Sequence, residues 1–110
     1  MAQTVAKIAV AAATYWVDKP YDYLIPPELA DKAVPGVRVY VPFSHGNRRS
    51  EGIILAVSDG SEYGKLKAIT AVLDSEPLLS PEQIKLALFM RERFFCTVYD
   101  AVKAMLPAGL

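Results

Sequence analysis

Val37-Arg38-Val39-Tyr40-Val41-Pro42-Phe43, followed after a polar stretch by Gly52-Ile53-Ile54-Leu55-Ala56-Val57, decides the fold class. In the first run the valines alternate with Arg38 and Tyr40. A strand with that period buries one face and turns Arg38 and Tyr40 outward. The second run is apolar on both parities, as expected of a central strand buried on two sides or closed inside a barrel. Between them Ser44-His45-Gly46-Asn47-Arg48-Arg49-Ser50 reads as a hairpin tip longer than a two-residue turn needs. Val34-Pro35-Gly36 leads into the first run as a type II turn, with Pro presetting φ and Gly supplying the positive φ that follows.

Three further runs, Val5–Thr14, Tyr21–Ile25 and Leu66–Leu73, extend this pattern, with a second polar loop over Asp59–Gly64. The period changes after Asp74-Ser75-Glu76-Pro77. Ser80-Pro81-Glu82-Gln83 starts a helix: Ser at the cap, Pro at the first helical position, and Gln83 placed to complete a capping box. That helix is expected to run to about Phe95, with Ile84, Ala87, Leu88, Arg91 and Phe95 on one face. Leu86, Phe89, Met90 and Phe94 spread apolar surface further round than a solvated helix needs. Thr97 and Asp100 have the same capping spacing, and a short second helix follows, stopped by Pro107 and Gly109. The expected fold is mainly β (α+β), a small OB-like β-barrel of about five or six strands, closed or nearly so, followed by one or two C-terminal helices. Residues 1–77 form the β part and 78–110 a helical segment of the same domain.

Composition narrows the chemistry. The chain has 110 residues, 53% of them hydrophobic and 10% aromatic, which excludes disorder as a description of the whole. Twelve Lys and Arg balance twelve Asp and Glu for a net charge of +0, so no general basic excess argues for nucleic acid. Any such binding must come from local arrangement. The single cysteine, Cys96, and the single histidine, His45, provide neither an internal disulfide nor a zinc site. Cys96 reads as a small buried residue and His45 as a solvated turn residue. The chain contains no G-x-x-x-x-G-K-[ST] phosphate loop and no G-x-G-x-x-G, so nucleotide hydrolysis is not expected within it. No apolar run reaches the roughly 20 residues of a membrane span, and Ile8–Tyr15 lacks a signal peptide's cleavage pattern. The expected location is the cytoplasm.

One constellation stands out. Pro20-Tyr21-Asp22-Tyr23-Leu24-Ile25-Pro26 brackets a carboxylate between two aromatics in a short strand closed by prolines. Period two puts Tyr21 and Tyr23 on one face and Asp22 on the other. One reading is an edge strand whose tyrosines enter the core; the other is a small pocket, with aromatic faces for a base and a carboxylate that accepts from a hydroxyl or exocyclic amine. A carboxylate repels phosphate, so such a pocket suits the end of a strand. Arg48, Arg49, Lys65 and Lys67 could gather on one rim and neutralise phosphates, or simply remain solvated.

The ordered series Asp18–Pro26, Pro35–Phe43, Glu51–Ile54, Leu66–Ile69 and Leu73–Pro77 strongly resembles the N-terminal domain of the primosomal protein N′ (PriA) helicases. The resemblance runs along nearly the whole chain. It implies a bacterial domain that recognises the 3′-terminal nucleotide, with its hydroxyl, of the nascent leading strand at stalled forks, and so targets a replication-restart helicase for primosome assembly. It implies that this segment is not itself an enzyme, whereas the full-length protein is an ATP-dependent 3′-5′ DNA helicase. ATP, Mg and Zn would then be bound in helicase regions beyond Leu110. Implied partners are branched DNA forks and 3′ single-strand ends, other domains of the same polypeptide, and primosome and single-strand-binding proteins.

Residue by residue, the resemblance places the 3′-end pocket at Tyr21, Asp22, Tyr23 and Lys67. Family members commonly have Gly directly after Val-Pro-Phe; here that position is Ser44, and Gly46 is taken for the role. Arg48, Arg49 and Lys65 are possible phosphate contacts. On this reading Asp22 accepts from the 3′-hydroxyl, the aromatics wall the base or support the strand, the backbone near Gly46 approaches closely, and Lys67 balances the last phosphodiester. The alternative is a small β-barrel protein-interaction module. In it Leu86, Phe89 and Phe94 would face other domains or a partner.

Overall fold

The computed structural model describes residues 4–11, 21–43, 46–59, 66–93 and 97–106. Five strands form one antiparallel sheet: β1 (Thr4–Val10), β2 (Tyr21–Leu24), β3 (Arg38–Phe43), β4 (Arg48–Asp59) and β5 (Ala71–Val72), in the order β2-β1-β4-β3-β5. Two helices follow, α1 (Pro81–Arg93) and α2 (Val98–Met105). Mainly β with C-terminal helices is therefore the observed class.

The ladder itself is open, which corrects the expectation of a closed barrel. β5 pairs only Val39 and Tyr40 of β3, and no ladder joins it to β2 among the described residues. Residues 67–70 lie across the gap. Leu24 N–H donates to the Lys67 carbonyl (2.9 Å), Ile69 N–H to that of Leu24 (3.0 Å), and Thr70 N–H to that of Tyr40 (2.9 Å). Because one residue bonds β2 and the next bonds β3, this strap cannot run a ladder with either, and the strand expected over Leu66–Leu73 shrinks to Ala71–Val72.

β4 is longer than its apolar run suggested. Its ladder with β3 begins at Phe43↔Arg48, so Arg48 and Arg49 are strand residues rather than loop residues. Asn47, at φ 50, makes the left-handed turn that lets β4 begin so early. At the other end of β3, Gly36 has φ 96 and Val37 N–H reaches the Val34 carbonyl, as a type II turn requires.

The double-sided apolar pattern of β4 has its explanation in two cores. On the inner face Ile54 packs with Ala6, Ile8, Val10, Tyr23, Val39 and Val41. On the outer face Ile53 and Leu55 pack with Ile84 and Ala87 of α1 and Val98, Tyr99, Ala101 and Val102 of α2. A register shift between Lys7 and Ile8 in the β1–β4 pairing marks a bulge at this doubly covered point. Gly52 belongs there because a Cβ would lie 2.6 Å from Ile8 Cγ2.

The caps form as the sequence indicates. Ser80 and Gln83 exchange hydrogen bonds of 2.9 and 3.2 Å, and the Thr97 hydroxyl accepts from Asp100 N–H at 3.0 Å. Leu86 and Phe89 are each 49% exposed. Phe94, Phe95 and Cys96 lie outside the described residues.

Arg38 does face outward, but the helical side covers it. Its guanidinium grips Asp74 through Nε and Nη2 (2.7 Å at the shortest), its own N–H donates to Asp74 Oδ2 at 2.8 Å, and Glu51 Oε1 lies 4.0 Å away. Burial pushes the Asp74 carboxyl up, and the hydrogen bonds and charge of Arg38 overcome that to hold it below its ordinary value. A carboxyl depressed in the folded state stabilises at pH above its unfolded value of 3.8, and that contribution is lost as pH falls through the folded value. Asp74→Ala should therefore cost about 2–4 kcal/mol at neutral pH, and the gap from the parent should narrow in denaturant melts below pH 3.8. Gly52→Ala should lower the thermal midpoint by about 5–15 °C through overpacking against Ile8, independently of pH.

Candidate functional site

The described part of β2 is four residues long, and the register of β1 sets which way each points. Ile8↔Tyr21 and Ala6↔Tyr23 face inward, while Lys7↔Asp22 faces outward. The tyrosines and the carboxylate are thus on opposite faces of the strand, as period two dictates.

Tyr23 is 4% exposed, and its hydroxyl donates to the Pro42 carbonyl at 2.8 Å. Burial, with a smaller contribution from Tyr21, pushes its phenol up to about 12. This side chain supports the strand and offers no face to a ligand. Tyr21 is half-buried and meets Phe43 edge-on, with ring centroids 5.2 Å apart and planes at 86°. Such T-shaped packing is a favoured aromatic geometry. It fixes Tyr21 at the end of the inner core, where β2 begins and β3 stops.

Asp22 carries an exposed partner. Lys7 Nζ is 3.2 Å from Asp22 Oδ1, with the lysine side chain 54% and the aspartate 16% exposed. At the other end of β2, the Leu24–Lys67 backbone bond brings the Leu-Lys-Ala segment alongside Tyr21-Asp22-Tyr23, and Lys67 is exposed there. Two motifs more than forty positions apart in the sequence thus become neighbours.

Gly46 and Arg48 are exposed at the β3–β4 turn. Among the described residues a Cβ on Gly46 would meet Arg48 Cγ at 3.9 Å, an ordinary contact. Arg49 sits with its guanidinium 4.3 Å from the centre of the Tyr40 ring. Ser44, His45 and Lys65 lie outside the described residues. Among the described residues no group of three or more His, Cys, Asp and Glu could hold a metal ion, and no helix is long and apolar enough to cross a membrane. A shallow apolar groove of about 730 Å³, lined by Val34, Pro35 and residues 76–81, contains none of these motif residues.

The amino-acid sequence matches a known domain family, described as the 3′ DNA-binding domain (3′BD) of PriA, over residues 7–107. The chain belongs to that family. Replication restart protein PriA of Bacillus subtilis (strain 168) is 36% identical over 107 residues, covering 96% of this chain and 13% of that protein. The probable replication restart protein PriA of Mycobacterium tuberculosis is 39% identical over 93 residues, covering 84% of this chain and 14% of that protein. Its counterpart in Mycobacterium leprae is 35% identical over 92 residues, covering 83% and 14%. The chain spans only about a seventh of the length of these relatives. Of the residues singled out above, Tyr21 and Tyr23 meet β3 at Phe43 and the Pro42 carbonyl, Lys67 lies beside the Leu24 end of β2, and Asp22 faces outward with Lys7.

Sequence reasoning left three neighbouring residues unassigned. Lys7 was hidden because its pairing with Asp22 depends on β1–β2 register, although the alternation of Val5-Ala6-Lys7-Ile8 already marks it as outward. Phe43 read as a strand end, and Tyr40 only as an outward residue. A raised phenol contributes stability below its unfolded value of 10.0, and that contribution is lost as pH climbs toward about 12. Tyr23→Phe should thus remove one late-titrating phenol from the ultraviolet absorbance titration, and should cost about 1–2 kcal/mol at neutral pH by leaving the Pro42 carbonyl unpaired.

Proposed function

We propose that this domain captures the terminal nucleotide at a DNA 3′ end, reading its free hydroxyl and not its sequence. The observation that carries this reading is the juxtaposition of Tyr21-Asp22-Tyr23 with Leu66-Lys67-Ala68 through the Leu24–Lys67 backbone bond. One carboxylate and two cations then lie along β2, the Lys7–Asp22 pair on its outward face and Lys67 beside its Leu24 end. Asp22 accepts from the 3′-hydroxyl through an oxygen that Lys7 leaves available. A 3′-phosphate meets the same carboxylate as a like charge and is repelled. Lys67 balances the last phosphodiester, and Tyr21, backed by Phe43, gives the base an aromatic edge. Gly46 keeps the turn open beside them.

In a replication restart protein of the kind the relatives' names describe, such a domain would direct the rest of the polypeptide to nascent leading-strand ends at stalled forks. ATP-dependent 3′-5′ unwinding, with its ATP and Mg, and zinc binding would belong to other parts of that protein. Its setting would be the bacterial cytoplasm, with primosome and single-strand-binding proteins as partners.

Anisotropy titrations of single strands ending in 3′-hydroxyl or 3′-phosphate test the reading. The hydroxyl end should bind at least about tenfold tighter, in line with the loss when a buried polar group goes unpaired. Asp22→Ala should abolish that preference and raise affinity for the phosphate end, because Lys7 is then left uncompensated. Lys67→Ala should weaken both ends and lower the salt slope by about one. Equal affinity of the parent for both ends would sink end recognition. The exposed Leu86 and Phe89 face of α1 supports a second reading, a protein-interaction module. That reading takes over if no strand binds at low salt while a protein partner does.

A further inference from the structure

Register divides the two arginines of the β3–β4 hairpin. Arg48 lies opposite Phe43 on the inner parity, and Arg49 lies opposite Pro42 on the outer parity, which it shares with Tyr40. Arg49 is exposed, pairs with no carboxylate among the described residues, and stacks its guanidinium on the Tyr40 ring at 4.3 Å. Glu51, the nearest acid on that face of β4, is turned to Arg38 instead. The Tyr40 backbone is anchored, since its carbonyl accepts from both Thr70 N–H (2.9 Å) and Thr70 Oγ1 (3.1 Å). Opposite Arg49 stands Pro42. The result is an exposed guanidinium seated over an aromatic ring on an anchored strand.

A guanidinium that only neutralises phosphate needs charge and N–H groups, which a solvated arm supplies as well. A guanidinium seated over an aromatic ring offers something else, a planar group on which a nucleobase can stack. Tyr40 lies three residues before Phe43, about 10 Å along the strand, with Tyr40 on the outer face and the Tyr21–Phe43 pair on the inner.

We propose that Arg49 and Tyr40 form a second subsite on the outer face of the hairpin, which takes the base of a nucleotide adjoining the terminal one, with Arg49 as the stacking plane and Tyr40 as its support. This rests on the reading of the domain as a binder of DNA ends. It replaces the phosphate contact expected of Arg49 with a base contact that tolerates any sequence.

The test uses the 110-residue chain and 5′-labelled single strands ending in 3′-hydroxyl, intact or with an abasic residue second or third from that end. Removing one of those bases should weaken binding to the parent about fivefold or more. Arg49→Lys retains the charge and Tyr40→Leu retains apolar cover. Each should bind the intact strand about as weakly as the parent binds the abasic one and lose little more when the base is removed, while Arg49→Lys keeps the parental salt slope. Thermal melts confirm that both variants remain folded. If Arg49→Lys binds as the parent does, or if base removal costs the same in all three proteins, the subsite is overturned. Strands with a 3′-phosphate separate the two readings: lost end preference with intact coupling between the base and Arg49 retains the subsite and removes end recognition, and the converse does the opposite.

Discussion

The structure depends on how β2 is held against β3. These strands lie on opposite sides of the sheet, and no ladder joins them. Three contacts of different kinds do so instead: the Tyr21–Phe43 ring pair, the Tyr23 hydroxyl on the Pro42 carbonyl, and the 67–70 strap that bonds Leu24 and Tyr40 through consecutive residues. A curled sheet that closes in this way keeps its inner core dry without spending backbone groups on a sixth strand. It also places side chains, not a continuous hydrogen-bonded wall, along the line where the ends of both strands emerge. Tyr21 and the Lys67 segment, two parts of the proposed end pocket, flank the line that the sheet leaves unzipped.

The opposite face of the sheet serves a different purpose. There Ile53 and Leu55 anchor the helices, and Arg38 ties β3 to the segment after β5 through Asp74. Burial pushes the Tyr99 phenol up, and the neighbouring Glu51 adds to this, so the cluster extends onto α2. One buried face therefore stabilises the domain while the other edge remains available for contact. Loading charge onto the covered face is costly unless it is paired, and the bidentate geometry of Arg38 and Asp74 is the pairing that makes it tolerable.

Much of this was legible before any coordinates. Alternation in Val37–Val41 and its absence in Gly52–Val57 identify a one-sided and a two-sided strand, and the Ser80/Gln83 and Thr97 caps locate both helices. These signals are local, and local chemistry sets them. What escaped depends on pairing between distant segments. The early start of β4 at Arg48 follows from its register with Phe43, the shortened β5 from competition of residues 67–70 for two edges, and the Lys7–Asp22 pair from β1–β2 alignment. Of the site, the motif residues were visible by type. That Tyr23 is tied to a carbonyl, and that Arg49 rests on Tyr40, were not.

The two fastenings of the fold differ in what they ask of their partners. Tyr23 is bound by a main-chain carbonyl, which every residue at position 42 would supply, whereas Arg38 is gripped by a side chain that must be acidic. A substitution at position 42 other than one that moves the backbone therefore leaves Tyr23 its acceptor, whereas a change at position 38 or 74 alone strands the other partner. The seam that carries the proposed pocket thus tolerates side-chain change in one of its own walls, while the helical face tolerates it only in pairs.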